Sequence, residues 1–357
     1  MDRLTTSSAE TLFGIGGDPS HERIVLATDK ATGLQAIIAV YNTARGPSFG
    51  GCRYWRYASD HEALNDALRL SQGMAFKNAL ADLPFGGGKA VIVRGPEAPD
   101  RAALFAAFGR FVESLNGIYI TAEDVGTTAS DMRSVQNETR YVSGIPRSGE
   151  IYGGDPSPRT AYGVFIGLLA AVEAALGLKT IDGLSVAVQG LGSVGWDLCQ
   201  RLHQAGAKLI VSDIDAAKTD LAQRLFNARV VPTAQIVNVD ADVFAPCALG
   251  GSVTGAVAAQ CRFKVIAGGA NNQLLSLAED HVLHQRGIFY APDFLINAGG
   301  IISCAREYLG SGEEQAVLSE IAQIGERVFE LVDRVKKIGV PPARAAVLWA
   351  REKMISL

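Results

Sequence analysis

The chain has little of what marks nucleic-acid-binding or disordered proteins. Its 33 Lys and Arg residues are outnumbered by 37 Asp and Glu residues, which gives a net charge of −4. The basic surface that nucleic-acid binding requires is therefore not expected. Hydrophobic residues make up 48% of the chain and charged residues 20%, a balance typical of globular proteins. We expect small molecules, and no nucleic acid, as partners.

Long apolar runs and a signal sequence are also absent. The longest apolar stretch, residues 162–178, is interrupted by Glu173 and is shorter than the roughly 20 residues that span a bilayer. Residues 1–8 show no basic start followed by an apolar core, so a secretory signal is not expected. We expect a cytoplasmic protein with no membrane partner.

The cysteine and histidine patterns that bind metals are missing as well. The chain has no C-x-x-C pair, and its cysteines are scattered as in proteins of reducing compartments: Cys52, Cys199, Cys247, Cys261 and Cys304. His281 and His284 are three residues apart, but the sequence offers no third ligand near them. Ser157 and Cys247 lie outside any nucleophile elbow. We expect no metal site and no covalent catalysis.

Length and periodicity predict two α/β domains. The 357 residues exceed the roughly 250–300 that one core usually supports. In the first 140 residues, β-branched runs alternate with segments of helical periodicity. The runs are 33–42, 89–93 and 117–122, and the helical segments are 60–82 and 99–115. This part of the chain therefore predicts an α/β unit.

The second half has the pattern of a dinucleotide-binding domain. A Gly-, Pro- and Ser-rich stretch at 143–158 predicts the crossing between domains. Beyond it, alternating patterns predict a parallel, doubly wound sheet. The helices are expected at 159–176, 193–205 and 216–227, and the strands at 184–189 and 207–212 and near 229–231, 242–245, 264–267 and 288–290. The tail 313–355 is amphipathic and predicts helix.

A glycine-rich turn follows the predicted strand 184–189. Gly190, Gly192 and Gly195 form the pattern G-x-G-x-x-G. In dinucleotide-binding domains, these glycines permit the tight turn, the approach of the pyrophosphate and close helix–strand packing. Asp213 ends the next predicted strand, where a carboxylate binds ribose hydroxyls and repels a 2′-phosphate. The sequence therefore predicts NAD as cofactor.

Two lysines and one acidic residue in the first half are candidates for catalysis and substrate binding. Lys89 follows three glycines, where we expect a glycine turn to enter the buried strand 89–93, and burial lowers the pKa of an ammonium group. Lys77 ends a helical segment with an apolar face, and its ammonium suits a substrate carboxylate. Asp124 follows the strand 117–122, where α/β sheets bind ligands, and can transfer protons. We expect one cleft to hold all three.

Nine segments occur in the order typical of one enzyme family. They are GPSFGGCR (46–53), GMAFKN (73–78), GGGKAVI (86–92), ITAEDVGTT (120–128), DPSP (155–158), QGLGSVG (189–195), FAPCALGG (244–251), ANNQL (270–274) and APDFLINAGG (291–300). On these segments, the chain resembles the glutamate/leucine/phenylalanine/valine dehydrogenases, most closely the leucine dehydrogenases. We predict two domains around a cleft. Residues 1–145 form the substrate, catalytic and oligomerisation domain, to which helices 313–357 return, and 146–312 form a Rossmann-type domain.

The resemblance assigns roles to individual residues. It implies that Lys89 activates the water that attacks the imino carbon, that Lys77 binds the substrate carboxylate, and that Asp124 carries protons to and from the amino nitrogen. The other implied substrate-binding residues are Phe49, Gly50, Met74, Ala122, Asn271 and Leu295. The implied cofactor-binding residues are Thr160, Gly190, Gly192, Ser193, Val194, Gly195, Asp213, Ala245, Pro246, Cys247, Ala267, Gly268, Asn271 and Asn297. The implied reaction converts an L-amino acid, water and NAD⁺ to a 2-oxo acid, ammonium and NADH.

The side-chain pocket implied by the resemblance has a mixed character. Ala122 resembles the leucine-type enzymes, Leu295 resembles the phenylalanine type, and Phe49 is bulkier than the usual leucine. One methyl group in an apolar pocket changes binding by only about 1–3 kcal/mol, so mixed specificity is compatible with these residues. We predict a preference for branched-chain, leucine-like substrates. The alternative is an aromatic dehydrogenase, for phenylalanine or tryptophan, with the same mechanism.

Two further expectations concern assembly and activity. The helical C-terminus and the apolar N-terminal strand suggest a homo-oligomer, as the family resemblance implies. A catalytically silent nucleotide-binding protein is the remaining alternative. Lys77, Lys89 and Asp124 argue against it, because a pure binding module needs none of them.

Overall fold

The computed structural model describes residues 21–96, 100–145, 153–248 and 250–355. By its internal contacts, the chain divides into two compact units. The first comprises the chain up to Ala75 together with Phe85–Val142, and the second comprises Phe76–Pro84 and the chain from Ser143 onward. The predicted crossing at 143–158 begins at this boundary, and its residues 146–152 lie outside the described part, as do residues 1–8.

A mixed sheet forms the centre of the first unit. Its strand order is β1-β2-β5-β3-β6, and β4 also pairs with β5. The strands are β1 (Arg23–Asp29), β2 (Leu34–Asn42), β3 (Ser48–Phe49), β4 (Cys52–Trp55), β5 (Gly86–Val93) and β6 (Tyr119–Ile120). The helices are α1 (Asp60–Leu80), α2 (Arg101–Glu113) and α3 (Ala129–Gln136). The predicted α/β unit is confirmed, and β1, β3, β4 and α3 are elements that the sequence patterns did not indicate.

The three glycines before Lys89 lie in strand β5, so the predicted glycine turn is wrong. Gly87 faces α1 so closely that a Cβ atom there would overlap the backbone of Ala75. A Cβ atom on Gly88 would lie 2.8 Å from both the hydroxyl of Ser48 and the ring of Tyr119. The glycines are therefore required because neighbouring elements pack closely against an extended strand. The periodicity of apolar residues in the sequence does not indicate such tertiary packing.

A six-stranded parallel sheet forms the centre of the second unit, as predicted. Its strand order is β12-β11-β10-β7-β8-β9. The strands are β7 (Ser185–Gln189), β8 (Lys208–Ser212), β9 (Arg229–Val230), β10 (Val243–Pro246), β11 (Val265–Ile266) and β12 (Phe289–Tyr290). The helices are α4 (Ser157–Leu176), α5 (Ser193–Gln204), α6 (Ala216–Phe226), α7 (Gly255–Gln260), α8 (Leu277–Gln285), α9 (Asp293–Ile296), α10 (Gly299–Tyr308), α11 (Glu314–Ala322), α12 (Ile324–Ile338) and α13 (Pro342–Ile355).

The C-terminal helices belong to the second unit by their contacts. They meet the segment Phe76–Pro84, which is in the same unit: Arg327 donates to the carbonyl of Ala81 at 3.4 Å, and Lys353 pairs with Asp82 at 2.5 Å. The contact division thus differs from the predicted domain limits, because the last turns of α1 and the loop after it pack with the C-terminal helices. The assignment of substrate and cofactor functions to the units stays a prediction.

Among the described residues, one helix is long and apolar enough to cross a membrane by length and composition, namely α4. Buried core helices pass the same test. Helix α4 packs against α5, α10 and α12 of its own unit. Gly163 and Gly167 permit this packing, since Cβ atoms there would lie 2.8 Å from Ile324 and 2.5 Å from Ile296. These contacts account for its apolar composition.

Candidate active site

Lys89 and Asp124 form a buried ion pair in the first unit. Lys89 lies in β5, between β2 and the strands β3 and β4, and its side chain is 3% exposed. Asp124 lies in the loop after β6, and its side chain is 14% exposed. Since burial deprives both groups of water, each charge depends on the other for compensation. The two predicted catalytic residues are thus in direct contact.

Hydrogen bonds hold the Asp124 loop in place. The carboxylate accepts the N–H of Val125 at 2.6 Å, and the N–H of Asp124 donates to the hydroxyl of Thr127 at 2.8 Å. The Thr127 hydroxyl also lies 3.1 Å from the carbonyl of Cys52 in β4. Thr127 was not among the predicted site residues, and its place in the segment 120–128 was the only signal for it. Thr127 thus connects the Asp124 loop to β4.

The predicted substrate residues of the first unit lie in β3, directly after β3, in α1 and in the segment after β6. Phe49 is fully buried and makes an edge-on contact with the ring of Phe85, with 5.1 Å between centroids. A Cβ atom on Gly50 would overlap the carbonyl of Gly88 and lie 3.0 Å from Met74. The carbonyl of Ala122 accepts the N–H of Cys52 at 2.8 Å. Cys52 itself is fully buried, and burial raises the pKa of its thiol.

Lys77 belongs to a second polar cluster, within the second unit. Its ammonium donates to the side-chain oxygen of Asn271 at 3.3 Å. The amide of Asn297 donates to the same oxygen at 3.0 Å and to the carbonyl of Gly269 at 3.2 Å. Burial lowers the pKa of Lys77 to about 8, an effect that the charge of Asp293 opposes. The amide oxygen of Asn297 is buried and has no hydrogen-bond partner in the described part of the chain.

Asp293 joins this cluster, although sequence reasoning gave it no role. It begins α9, and Asn297 follows the end of the same helix. One oxygen of Asp293 accepts the hydroxyl of Tyr290 at 2.8 Å, and the other accepts the N–H of Asn272 at 2.8 Å. Burial raises the pKa of its carboxyl group. The only signal in the sequence was its place in the segment 291–300.

The glycine turn has the shape that a dinucleotide needs. Gly190 has φ +95°, a left-handed conformation that favours glycine. A Cβ atom on Gly195 would overlap the carbonyl of Gly190, whereas one on Gly192 would meet no atom within 4 Å. In the described part of the chain, no side chain caps the N-terminus of α5, which starts at Ser193 and continues through Val194. The turn therefore combines open space with the positive end of a helix, which suits a pyrophosphate.

Asp213 lies beside this turn. Its carboxylate accepts the N–H of Leu191 at 2.5 Å through one oxygen and the N–H of Asp215 at 2.8 Å through the other. These two bonds fix a negative charge at the C-terminal end of β8, next to the turn that follows β7. The position is the one at which a ribose is expected.

The other predicted cofactor residues also follow parallel strands of this sheet. Ala245, Pro246 and Cys247 end and follow β10, and Ala267 and Gly268 follow β11. A Cβ atom on Gly268 would overlap the backbone of Pro246, so these two segments lie against each other. Burial raises the pKa of Cys247 to about 11. Because the strands are parallel, their ends share the edge that carries the glycine turn.

Thr160 and Leu295 complete the predicted residues of the second unit. The hydroxyl of Thr160 donates to the carbonyl of Pro156 at 3.0 Å. A Cβ atom on Gly300 would overlap this hydroxyl. Leu295 lies in α9 and is buried. In the described ranges, no group of three or more His, Cys, Asp or Glu side chains is arranged to hold a metal ion.

Two protein-family models match the chain. Residues 21–141 match the Glu/Leu/Phe/Val dehydrogenase, dimerisation domain, and residues 213–356 match Glutamate/Leucine/Phenylalanine/Valine dehydrogenase. Together they cover the loop of Asp124, both lysines and most of the second sheet.

Curated relatives carry three different substrate names. Leucine dehydrogenase of Thermoactinomyces intermedius is 46% identical over 94% of this chain and 91% of its own length. Phenylalanine dehydrogenase of Lysinibacillus sphaericus is 44% identical over 84% of this chain and 80% of its own length. The crystal structure of L-tryptophan dehydrogenase from Nostoc punctiforme has a TM-score of 0.77 and 40% identity, over 94% of this chain and 96% of that one. The chain therefore belongs to the Glu/Leu/Phe/Val dehydrogenase family of NAD(P)-dependent amino acid dehydrogenases.

Proposed function

We propose that the protein catalyses the reversible, NAD-dependent oxidative deamination of a branched-chain L-amino acid to its 2-oxo acid and ammonium. The observation that carries this proposal is the buried ion pair of Lys89 and Asp124. A base and an acid in direct contact can pass a proton between them, which deamination requires at both the amino nitrogen and the attacking water. The family membership supports the reaction class.

Each residue of the proposal has one task. Lys77 binds the α-carboxylate of the substrate, and Asp124 takes a proton from the amino nitrogen. Lys89, as the neutral amine, takes a proton from the water that attacks the imino carbon. The hydride chemistry is supplied by the nicotinamide cofactor when it is bound. The buried amide of Asn297, whose oxygen has no partner among the described residues, offers an acceptor for a carboxamide.

The choice of NAD over NADP rests on Asp213. Its negative charge is held by two backbone N–H groups at the position of the expected ribose. A 2′-phosphate there would be repelled. Parallel assays with NADH and NADPH test this choice: NADH should be oxidised much faster, and equal rates would contradict the assignment.

The preference for a branched-chain side chain rests on the packing of Phe49. Phe85 holds its ring by an edge-on contact, and both rings are buried. A fixed aromatic ring at this position takes up volume that a second aromatic side chain would need. The alternative is a phenylalanine or tryptophan dehydrogenase, supported by the relatives that carry those names.

Relative rates on three 2-oxo acids separate these alternatives. We expect 4-methyl-2-oxopentanoate to be reduced faster than phenylpyruvate and indolepyruvate, with ammonium and NADH in excess. Faster reduction of an aromatic acid would keep the mechanism and contradict the argument from Phe49. Binding of NADH without turnover of any of the three would favour the catalytically silent alternative.

The proposal includes a homo-oligomer located in the cytoplasm. The first family model is described as a dimerisation domain, and it covers the edge strand β1. This strand exposes Ile24 and Leu26, the latter by 68%. Apolar side chains on a sheet edge suit contact with a second copy of the chain.

A further inference from the structure

Asp293 is a buried carboxylate that the proposed reaction does not use. It is 7% exposed, and both of its oxygens accept a hydrogen bond, one from Tyr290 and one from the N–H of Asn272. Because each oxygen has its own donor, rotation of the carboxylate would break both hydrogen bonds. A buried charge fixed in this way requires an explanation.

The Asn272 bond connects Asp293 to the residue that Lys77 contacts. Asn272 has φ +52°, a left-handed conformation that costs free energy in any residue other than glycine. Its N–H is held by Asp293, and the neighbouring Asn271 accepts the ammonium of Lys77 at 3.3 Å. The same Asn271 oxygen accepts the amide of Asn297, which follows the helix that Asp293 begins. Asp293 therefore stabilises the Asn271–Asn272 turn in two ways, directly through Asn272 and indirectly through α9 and Asn297.

Asp293 also acts on Lys77 through its charge. Lys77 is buried, and an ammonium in a poorly solvated place tends to lose its proton. A negative charge within the same unit opposes that loss, and among the described residues Asp293 acts on Lys77 in this way. Lys77 lies on α1, Tyr290 ends β12, and Asp280 on α8 acts on Tyr290. Among the described residues, Lys77 and Tyr290 are the titratable side chains that act on the carboxylate of Asp293.

We propose that Asp293 is a positioning residue, which holds the Asn271–Asn272 turn in place and keeps the ammonium of Lys77 charged for the α-carboxylate of the substrate. The part that concerns the substrate carboxylate (the substrate part) rests on the proposed role of Lys77. The part that concerns the charge of Lys77 itself (the charge part) does not. Asp293 does not touch the substrate in this proposal. It acts through Lys77 and Asn271.

A labelling experiment tests the charge part without any need for catalysis. Acetic anhydride acetylates the neutral amine of lysine and not the ammonium, so a brief pulse at a series of pH values, read by peptide mass spectrometry, reports the pKa of Lys77. In the wild-type protein we expect a midpoint near pH 8. In Asp293→Asn, which keeps the size of the side chain and an accepting oxygen, we expect the midpoint about one pH unit lower. An unchanged midpoint would overturn the proposal.

Asp280→Asn is the matched control. It also removes a buried carboxylate from the second unit, yet Asp280 is not among the groups that act on Lys77. Its midpoint should equal that of the wild type, and a shift as large as in Asp293→Asn would count against a specific role. If Asp293→Asn does not fold, Tyr290→Phe decides. Loss of the hydroxyl that orients Asp293 should give a smaller downward shift, and no shift would again overturn the proposal.

Steady-state kinetics test the substrate part. At pH 8, Asp293→Asn should raise the KM for the 2-oxo acid several-fold, because less of Lys77 carries its charge, while kcat changes little. The difference in KM should shrink at pH 6.5, where Lys77 is mostly protonated in both proteins. A purely structural role would lower kcat at both pH values and contradict the proposal. If the wild type reduced no 2-oxo acid, the proposed function would fail while the labelling result would still decide the role of Asp293.

Discussion

Lys89 and Asp124 are the residues whose chemistry depends most on their surroundings. Both lie in places where water is scarce, so removal of one leaves the other as an uncompensated charge. The sequence placed them 35 positions apart and gave each a catalytic role by resemblance. Their direct contact follows from the pairing of both β5 and β6 with the same strand, β3.

Replacement of Lys89 tests its proposed role. In Lys89→Ala, we expect kcat to fall by about 10²–10⁴-fold, since this is what a positioned acid–base group contributes. Binding of NADH, measured by fluorescence titration, should change little, because the glycine turn is in the other unit. Lys337→Ala, which removes an exposed lysine from α12, is the control and should retain full turnover. Near-normal turnover of Lys89→Ala would exclude Lys89 from catalysis.

Among the elements, the C-terminal helix α13 has an unusual anchor. Asp280 of α8 is 1% exposed and accepts the N–H of Arg344, in the first turn of α13, at 3.1 Å. Its other oxygen has no hydrogen-bond partner in the described residues. Burial raises the pKa of Asp280 to about 7, although the N–H groups of Arg344 and Ala343 oppose this effect. The docking of this helix therefore depends on a carboxyl group that titrates near neutrality.

Asp280 should make the free energy of unfolding depend on pH. Because its pKa is higher in the folded than in the unfolded chain, its stabilising contribution is complete below about pH 4 and is lost as pH rises through about 7. Between pH 5 and pH 8, this loss amounts to about 2–3 kcal/mol. Chemical denaturation at both pH values should show a smaller decrease in Asp280→Asn than in the wild type. Equal decreases in the two proteins would show that Asp280 does not titrate in this range.

Elements with strong local patterns could be predicted from the sequence, and those defined by tertiary contact could not. The strands β2 and β7 have β-branched runs, the turn after β7 has a fixed glycine spacing, and all three appear where expected. The glycines of β5 are required by close packing against α1 and β3, which are distant in the sequence, so the local pattern wrongly predicts a turn there. Asp293 escaped notice for the same reason, since its partner Lys77 is more than 200 residues away.

At the scale of the whole molecule, the exposed edge strand β1 bears on assembly. Leu26→Lys places a charge in the exposed apolar face of this strand. If a second copy covers that face, light scattering after size exclusion should show a smaller assembly than for the wild type. Leu178→Lys, at an exposed apolar residue after α4, serves as control and should leave the mass unchanged. A wild-type mass for Leu26→Lys would place the interface elsewhere.

The residues of the proposed reaction belong to both units. The ion pair of Lys89 and Asp124 is in one unit, and Lys77 and the glycine turn are in the other. The central claim is that these components perform reductive amination in one direction and oxidative deamination in the other. The most direct measurement is NADH oxidation with 4-methyl-2-oxopentanoate, in the presence and absence of ammonium. We predict oxidation that depends strictly on ammonium, with leucine as product. Oxidation at the same rate without ammonium would indicate reduction of the keto group to an alcohol and would contradict the account.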